Sequence, residues 1–233
     1  MDQIIKEGFS ALGLPLDDAA LERFKRYYAY LDEQSRVMNL TAIHGKADTA
    51  RLHFLDCAAV LTTGDLARGA SVIDVGSGAG FPGLPMKIAR TDLHLTLLDS
   101  LQKRVQFLSE TCALLGLDDV DCLHARAEEA PQLRETFDAA VSRAVAKLSV
   151  LSELCLPFVK VGGVFLAMKG PGVAEELAEA ASAIEALGGG AAEILPYSLP
   201  GTDQAHNIIR VRKLAPTPAQ YPRRWAKIQK RPL

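Results

Sequence analysis

A glycine-rich stretch between an apolar run and a proline has the residue types of a cofactor loop. Residues 72–83 read Val-Ile-Asp-Val-Gly-Ser-Gly-Ala-Gly-Phe-Pro-Gly, which predicts a buried strand, a tight loop and a helix beginning near Pro82. Gly76, Gly78 and Gly80 tolerate the positive φ of a tight turn and carry no Cβ that would keep a ligand off the backbone. The stretch therefore predicts a nucleotide-type cofactor at this loop.

Two cofactors fit such a loop. Residues 78–83 match the G-x-G-x-x-G pattern of NAD-binding proteins in their letters. If the strand ends at Val75, however, Gly76 is the turn glycine and the Asp74 carboxylate lies directly behind the loop, where it would oppose a pyrophosphate. S-adenosylmethionine carries a sulfonium and an ammonium group and no phosphate. We therefore favour S-adenosylmethionine, resting against the loop amides with Asp74 as a further cofactor-binding residue, over NAD and over a loop that binds nothing.

Three further positions follow predicted strands and are candidates for the same site. Asp99 comes about 20 residues after the loop, where a carboxylate can accept both ribose hydroxyls, although it could instead cap a helix. Ala127 and Glu128 follow the third strand, where the adenine would lie, although the glutamate could simply complement a helix dipole. Arg143 follows the fourth strand and could hold the cofactor carboxylate or an RNA phosphate, or pair with Asp74 or Asp99.

The order of predicted elements gives the fold. Apolar residues recur with helical spacing up to about residue 61, and short apolar strands separated by helices follow from residue 71. We predict an α/β, doubly wound, Rossmann-like sheet of the class I S-adenosylmethionine-dependent methyltransferase type, with a terminal antiparallel hairpin and an N-terminal helical cap. The predicted strands are 71–75, 93–98, 120–124, 139–142, 163–168, 191–199 and 207–214. The predicted units are the cap (1–65), the methyltransferase domain (66–215) and a basic C-terminal tail (216–233).

The charge of the chain is divided unevenly. The last acidic residue is Asp203, and residues 206–233 contain eight Lys or Arg. A basic block on an acidic body indicates contact with a polyanion, nucleic acid above all, whereas a solvated, disordered tail is the alternative. Tyr221 and Trp225 lie among these cations, as stacking rings for single-stranded bases would. From charge and topology, we expect RNA contacts at Arg143, Lys169, Arg210, Arg223 and Arg224.

Composition excludes several other classes. No window approaches the run of about 18 apolar residues needed to span a membrane, and the first residues lack the features of a signal peptide. We therefore expect a cytoplasmic protein. The four cysteines are too widely spaced for a metal-binding pair, so we expect reduced thiols and no metal.

The sequence also limits the chemistry of methyl transfer. It contains no Asn-Pro-Pro-Tyr or Asp-Pro-Pro-Tyr segment to hold an exocyclic amine, and Cys155 lacks the Pro-Cys context of a base-attacking thiolate. Guanine N7 carries a free lone pair and no proton, so transfer to it needs positioning rather than a general base. We accordingly identify no acid or base catalyst.

Six segments in order resemble the bacterial small-subunit rRNA guanine-N7 methyltransferases, the RsmG or GidB family, over nearly the whole chain. They are residues 39–43, 53–56, 74–85, 97–100, 142–144 and 169–170. The resemblance implies methylation of guanine N7 in the 530 loop of 16S rRNA in the small ribosomal subunit, by a protein expected to be a monomer. It also implies cofactor contacts at Gly76, Phe81, Ala127, Glu128 and Arg143. We expect His53 and Asp56 to brace the cap against the sheet.

Overall fold

The computed structural model describes residues 1–143, 146–202 and 205–233, so Ala144 of the predicted 142–144 segment lies outside the described residues. Within these ranges the chain forms a seven-stranded sheet of order β3-β2-β1-β4-β5-β7-β6. The first five strands are parallel, and the last two form the antiparallel hairpin. This confirms the predicted fold class. The strands are β1 (Ser71–Val75), β2 (His94–Asp99), β3 (Val120–His124), β4 (Phe137–Arg143), β5 (Val159–Lys169), β6 (Glu193–Tyr197) and β7 (His206–Arg212).

Helices precede the sheet and cover its two faces. The Asp17 carboxylate accepts a hydrogen bond from the Ala20 amide at 2.6 Å and so caps the second helix, which ends where Asn39 adopts a left-handed conformation. No helix in the described ranges is both long and apolar enough to cross a bilayer. The helices are α1 (Asp2–Ala11), α2 (Asp18–Met38), α3 (Lys46–Thr49), which continues as a π-helix (Ala50–Leu55) into α4 (Asp56–Ala58) and a 3₁₀ turn (Ala59–Thr63), α5 (Gly83–Ala89), α6 (Gln102–Leu115), α7 (Leu148–Cys155), α8 (Val173–Ala186) and α9 (Trp225–Lys230).

The N-terminal helices share one hydrophobic core with one face of the sheet. Phe24 and Phe54 from these helices are fully buried in the same cluster as Leu84 of α5 and Leu97 of β2. The Tyr27 hydroxyl on α2 donates a hydrogen bond to the Ala79 carbonyl of the glycine loop. The cap is therefore packed directly against the elements that build the loop.

The basic tail is packed on the opposite face, which corrects the alternative of a disordered tail. Arg134 donates to the carbonyls of Thr217 and, at 2.6 Å, Tyr221, and Glu135 accepts from the Thr217 amide at 2.7 Å. Ile228 of α9 is fully buried in the cluster beneath α7 and α8. These contacts fix residues 217–228 against the sheet domain.

Candidate cofactor and acceptor site

A cavity of about 780 Å³ opens at the carboxyl ends of the parallel strands. Residues at or just after the ends of β1 to β5 line it, together with the loop after α2, the helical segment 53–56 and α7. Its position between β1 and β4 is the point where strand order reverses, which is where open α/β sheets bind ligands. Its volume falls in the range of small-molecule sites.

The first two glycines of the loop border the cavity and the third does not. Gly76 and Gly78 have φ of 76° and 59°, and a Cβ on Gly78 would meet only the Gly76 carbonyl, at 3.9 Å. A Cβ on Gly80 would instead lie 2.4 Å from Leu84 and 2.9 Å from the Tyr27 hydroxyl. Gly80 is thus required for packing against the helices, which corrects its prediction as a cofactor contact.

Five of the six backbone amides of loop residues 76–81 are already hydrogen-bonded within the protein. The first three donate to the end of β2, two of them to the Leu98 carbonyl at 2.8 and 3.1 Å and one to the Asp99 carboxylate at 2.9 Å. The other two donate to the Ser77 carbonyl at 2.8 and 2.9 Å. A pyrophosphate would need such amides free, so this loop fits a cofactor without phosphate. The five engaged amides are those of Gly76, Ser77, Gly78, Gly80 and Phe81. The Ala79 amide is not among these donors and Ala79 lines the cavity, so a cofactor contact with the loop amides stays a prediction at that residue.

Asp74 acts behind the loop rather than in the cavity. Its carboxylate is fully buried, accepts a hydrogen bond from the Gly83 amide at 2.9 Å and does not line the cavity. Burial raises the pKa of Asp74 to about 7. The prediction of direct cofactor contact is therefore corrected, because Asp74 holds the first amide of α5, where a pyrophosphate would otherwise bind.

Asp99 lies at the cavity end of β2, as predicted. Its two oxygens accept hydrogen bonds from the amides of Gly78 and Leu101, each at 2.9 Å, and Arg104 lies 3.5 Å away. Helix α6 begins at Gln102 with Leu101 as its N-cap residue, so Asp99 is not the helix cap. A carboxylate has about four acceptor positions, which leaves Asp99 with capacity for two hydroxyl groups.

The segment after β3 supplies the next part of the cavity wall. Ala127 and Glu128 line it from a short 3₁₀ turn (Ala127–Glu129). The Glu128 side chain is 6% exposed, and its nearest cation is Arg126 at 4.0 Å. An apolar surface from Leu98 and Ala125 continues beside them. This end of the cavity combines apolar surface with a carboxylate, as a purine nucleoside requires.

Arg143 joins the sheet to the N-terminal helices at the other end of the cavity. Its Nη1 donates to the Leu52 carbonyl and to the Asp56 carboxylate, both at 3.0 Å, and its Nη2 lies 2.7 Å from His53 Nδ1. Its guanidinium also stands 4.7 Å from the centre of the Phe81 ring. Arg143 therefore pairs with Asp56 rather than with Asp74 or Asp99, which corrects that alternative.

His53 is held neutral by its surroundings. Burial and the Arg143 charge lower the pKa of His53 to about 3. Since Nδ1 accepts from Arg143, Nε2 carries the proton and donates to the Thr41 hydroxyl at 2.7 Å. The imidazole stacks on Phe81 with centroids 4.2 Å apart. His53 thus connects the loop after α2 to the sheet, and both of its nitrogens are occupied.

Asp56 receives two further donors that the sequence did not reveal. The Tyr197 hydroxyl donates to it at 2.6 Å, and His206 Nδ1 lies at 3.0 Å. Burial alone would raise the pKa of Asp56, but the bonds from His206 and Tyr197 and the Arg143 charge lower it below its usual value. Tyr197 and His206 come from the terminal hairpin, which lies about 140 residues after Asp56 in sequence. The hairpin contains no sequence motif that would predict this contact.

The predicted RNA-binding cations fall into two groups. Lys169 lines the cavity, where its Nζ lies 2.7 Å from the Ala146 carbonyl and 2.7 Å from Glu176. Arg224 is exposed. Arg210 instead pairs with Glu193 at 2.7 Å, and Arg223 with the fully buried Glu153 at 2.5 Å, and neither lines the cavity. Arg210 and Arg223 thus lie outside the cavity with carboxylate partners, and RNA contact by these cations stays a prediction.

Comparison with known proteins decides the family. The family profile described as GidB, rRNA small subunit methyltransferase G, matches residues 20–199. A protein of Alkaliphilus oremlandii named Ribosomal RNA small subunit methyltransferase G is 47% identical over 236 residues, covering 100% of this chain and 99% of the relative. A protein of the same name from Clostridium botulinum is 43% identical, covering 99% and 98%. The chain belongs to the GidB family.

Solved structures agree with this assignment at the level of fold. A SAM dependent methyltransferase from Aquifex aeolicus has a TM-score of 0.53 and 20% identity, covering 76% of this chain and 97% of that one. Family and fold together confirm the predicted methyltransferase class, and S-adenosylmethionine as the cofactor.

Proposed function

We propose that this chain transfers a methyl group from S-adenosylmethionine to N7 of a guanine in the 530 loop of 16S rRNA. The enzyme would act on the small ribosomal subunit or its rRNA, as a monomer in the cytoplasm. The proposal is supported by the names of the GidB relatives and by one observation above all. The cavity has a nucleoside end at β2 and β3, and an aromatic, cationic end at β4.

The nucleoside end would hold the cofactor. Gly78 leaves room at the loop beside Gly76, Asp99 has acceptor capacity for ribose hydroxyls, and Ala127 and Glu128 would border the adenine. When bound there, S-adenosylmethionine supplies an electrophilic methyl group on a sulfonium. The cavity would therefore orient the donor through its wall shape and one carboxylate.

The cationic end would receive the guanine. Phe81 presents a flat ring backed by His53 and Arg143, with Tyr197 and Lys169 also in the wall. His53 cannot serve as a general base, because its free lone pair already accepts from Arg143. Methylation of N7 removes no proton in the transfer step, so an arrangement that positions the acceptor and excludes water is sufficient. Arg143 and Lys169 would in addition attract the RNA backbone.

Two alternatives from the sequence can be weighed against the site. An NAD-linked oxidoreductase is disfavoured by the engaged loop amides and by the Asp74 carboxylate at the start of α5. A protein that binds the cofactor and RNA without turnover would have the same cavity, since N7 transfer leaves no acid or base signature. Salt dependence separates an RNA substrate from a small molecule, because phosphate contacts weaken steeply with ionic strength.

The test supplies methyl-labelled S-adenosylmethionine with free 16S rRNA, free 23S rRNA and intact small subunits in parallel. We expect label in 16S rRNA or in small subunits, mapped by N7-methylguanine-specific strand cleavage to the 530 loop. Asp99→Ala should lose the label, and the exposed Asp121→Ala on β3 should retain it. Label at another atom or in 23S rRNA only would contradict the proposal, and so would cofactor binding without transfer to either RNA.

A further inference from the structure

We propose that Trp225, from the basic tail, forms part of the purine wall of the cofactor site, so that the tail serves cofactor binding and not only RNA binding. This rests on the proposed cofactor site. It replaces the expectation from sequence that Trp225 stacks on RNA bases.

The position of Trp225 carries the proposal. It is the first residue of α9, it is half-buried, and it lines the cavity. Trp225 packs in the apolar cluster on the side of the sheet covered by α7. Phe81, at the cationic end of the cavity, belongs to the cluster on the opposite face of the sheet. The companions of Trp225 that belong to its own cluster and also line the cavity are Val75, Leu98, Ala125, Ala127, Leu151 and Leu154.

Leu98, Ala125 and Ala127 belong to the nucleoside end of the cavity, and α7, which carries the two leucines, contacts the 3₁₀ turn Ala127–Glu129. Asp99, next to Leu98, has the acceptor capacity expected for the ribose. A purine bonded to that ribose would extend toward the neighbouring segment, which is Ala125 to Glu128 after β3. An indole is a large flat apolar surface suited to a purine face. Trp225 therefore stands with the groups that face a purine, and apart from those around Phe81.

The tail is anchored so that the indole has a fixed place. Two residues before it, Arg223 donates to the fully buried Glu153 of α7 through its backbone amide at 2.9 Å and its Nε at 2.7 Å. Three residues after it, Ile228 is fully buried. A segment held on both sides presents its side chain without a large ordering cost on binding. Arg223 is thus a positioning residue for Trp225.

The charges of the tail agree with a structural role for part of it. Four of the eight cations in residues 206–233 are committed to carboxylates within the protein: Arg210, Arg212, Lys213 and Arg223. The other four are exposed and form no ion pair with the described residues. These exposed cations lie in residues 224–231, on or beside α9, so RNA could bind the outer side of the helix while Trp225 faces the cavity.

The direct test uses fluorescence, since Trp225 is the single tryptophan of the chain. S-adenosylhomocysteine is titrated without RNA, and the emission change is compared with the Kd from calorimetry. We expect a saturating change with the same Kd, a change also with adenosine alone, and none with methionine alone. Binding by calorimetry with no emission change would overturn the proposal, as would a response to methionine instead of adenosine or to an RNA oligonucleotide only. If calorimetry detects no binding of S-adenosylhomocysteine, the proposed cofactor site itself is contradicted.

Variants give a second readout that does not depend on turnover. Trp225→Ala should raise the calorimetric Kd for S-adenosylhomocysteine by about tenfold, and Trp225→Phe by about threefold or less, since a ring is retained. The exposed Lys230→Ala on the same helix is the matched control and should leave the Kd unchanged. Arg223→Gln should reduce the fluorescence response while the circular dichroism spectrum is kept. An unchanged Kd in a folded Trp225→Ala protein would overturn the proposal.

Discussion

The Asp56 carboxylate and the Arg143 guanidinium lie 3.0 Å apart across the boundary between the N-terminal helices and the sheet. Both side chains are largely buried, at 9% and 15% exposed, and both line the cavity. Tyr197 and His206 complete the group from the terminal hairpin. The Asp56 carboxylate therefore connects the N-terminal helices, the sheet and the terminal hairpin at the cationic end of the cavity.

Removing Arg143 should be costly to stability. Arg143→Met leaves Asp56 buried without its cation, and breaking a buried pair from one side costs about 3–5 kcal/mol in free energy of unfolding. Chemical denaturation measures the loss. The exposed pair of Arg36 and Asp32 is the control, since Arg36→Met should cost at most about 0.5 kcal/mol. Equal losses in the two variants would show that the buried pair contributes little.

His53 should remain neutral well below its usual titration range. Its pKa is about 3 in the folded protein against 6.5 for the free side chain. Between these values the unfolded chain binds the extra proton, so this contribution to stability is present above pH 6.5 and is lost as pH falls toward 3. Imidazole ¹⁵N chemical shifts should report a protonated Nε2 and an unprotonated Nδ1 from pH 8 to 5. Titration near pH 6.5 would refute the assignment of the Arg143 contact.

Asp74 should produce a pH dependence of the opposite sign. Its folded pKa of about 7 lies above the value of 3.8 for the free side chain, so the folded state holds the extra proton between these values. Stability from this group is therefore greatest below about pH 4 and falls as pH rises to 7, by at most about 1.4 kcal/mol per pH unit. Asp74→Asn keeps an acceptor for the Gly83 amide and removes the titration.

The measurement is the difference in free energy of unfolding between the wild-type protein and Asp74→Asn, taken from pH 5 to 7.5. We expect the wild-type protein to lose stability relative to Asp74→Asn as pH rises. Parallel curves for the two proteins would mean that Asp74 does not titrate in this range.

Asp99 should contribute directly to cofactor affinity. Asp99→Ala removes an acceptor worth about 1.5–3 kcal/mol for hydrogen bonds to a charged group, so the calorimetric Kd should rise by roughly ten- to 150-fold. Because Asp99 also accepts from Gly78 and Leu101, thermal unfolding must show that the variant is folded at the temperature used. Unchanged affinity in the folded variant would refute the ribose assignment.

The sheet could be predicted well because its strands are short apolar runs bounded by breaks in the pattern. The bounds of β1 and β3 match the prediction at both ends. β5 begins at Val159 rather than at residue 163. The additional residues include Gly162, which takes a φ of 89° inside the strand, beside an irregularity in its pairing with β4.

The site was less predictable because its side chains meet only after folding. Asp99 and Glu128 follow strands and could be placed by topology. Asp74 and Gly80 sit in the same motif as Gly76, yet packing turns them away from the cavity. Sequence spacing does not encode which donors surround a carboxylate. The density of positive charge in residues 206–233 suggested cations without partners. The carboxylates that pair with Arg210 and Arg223 come from other segments of the chain.

The hydrogen bond from Tyr27 to the Ala79 carbonyl has a consequence for genetics. It couples the shape of the glycine loop to the docking of a long amphipathic helix that contributes no wall to the cavity. Inactivating alleles should therefore scatter along the inner side of α2 as well as around the pocket. A mutational map of lost activity would overstate the area of the catalytic surface.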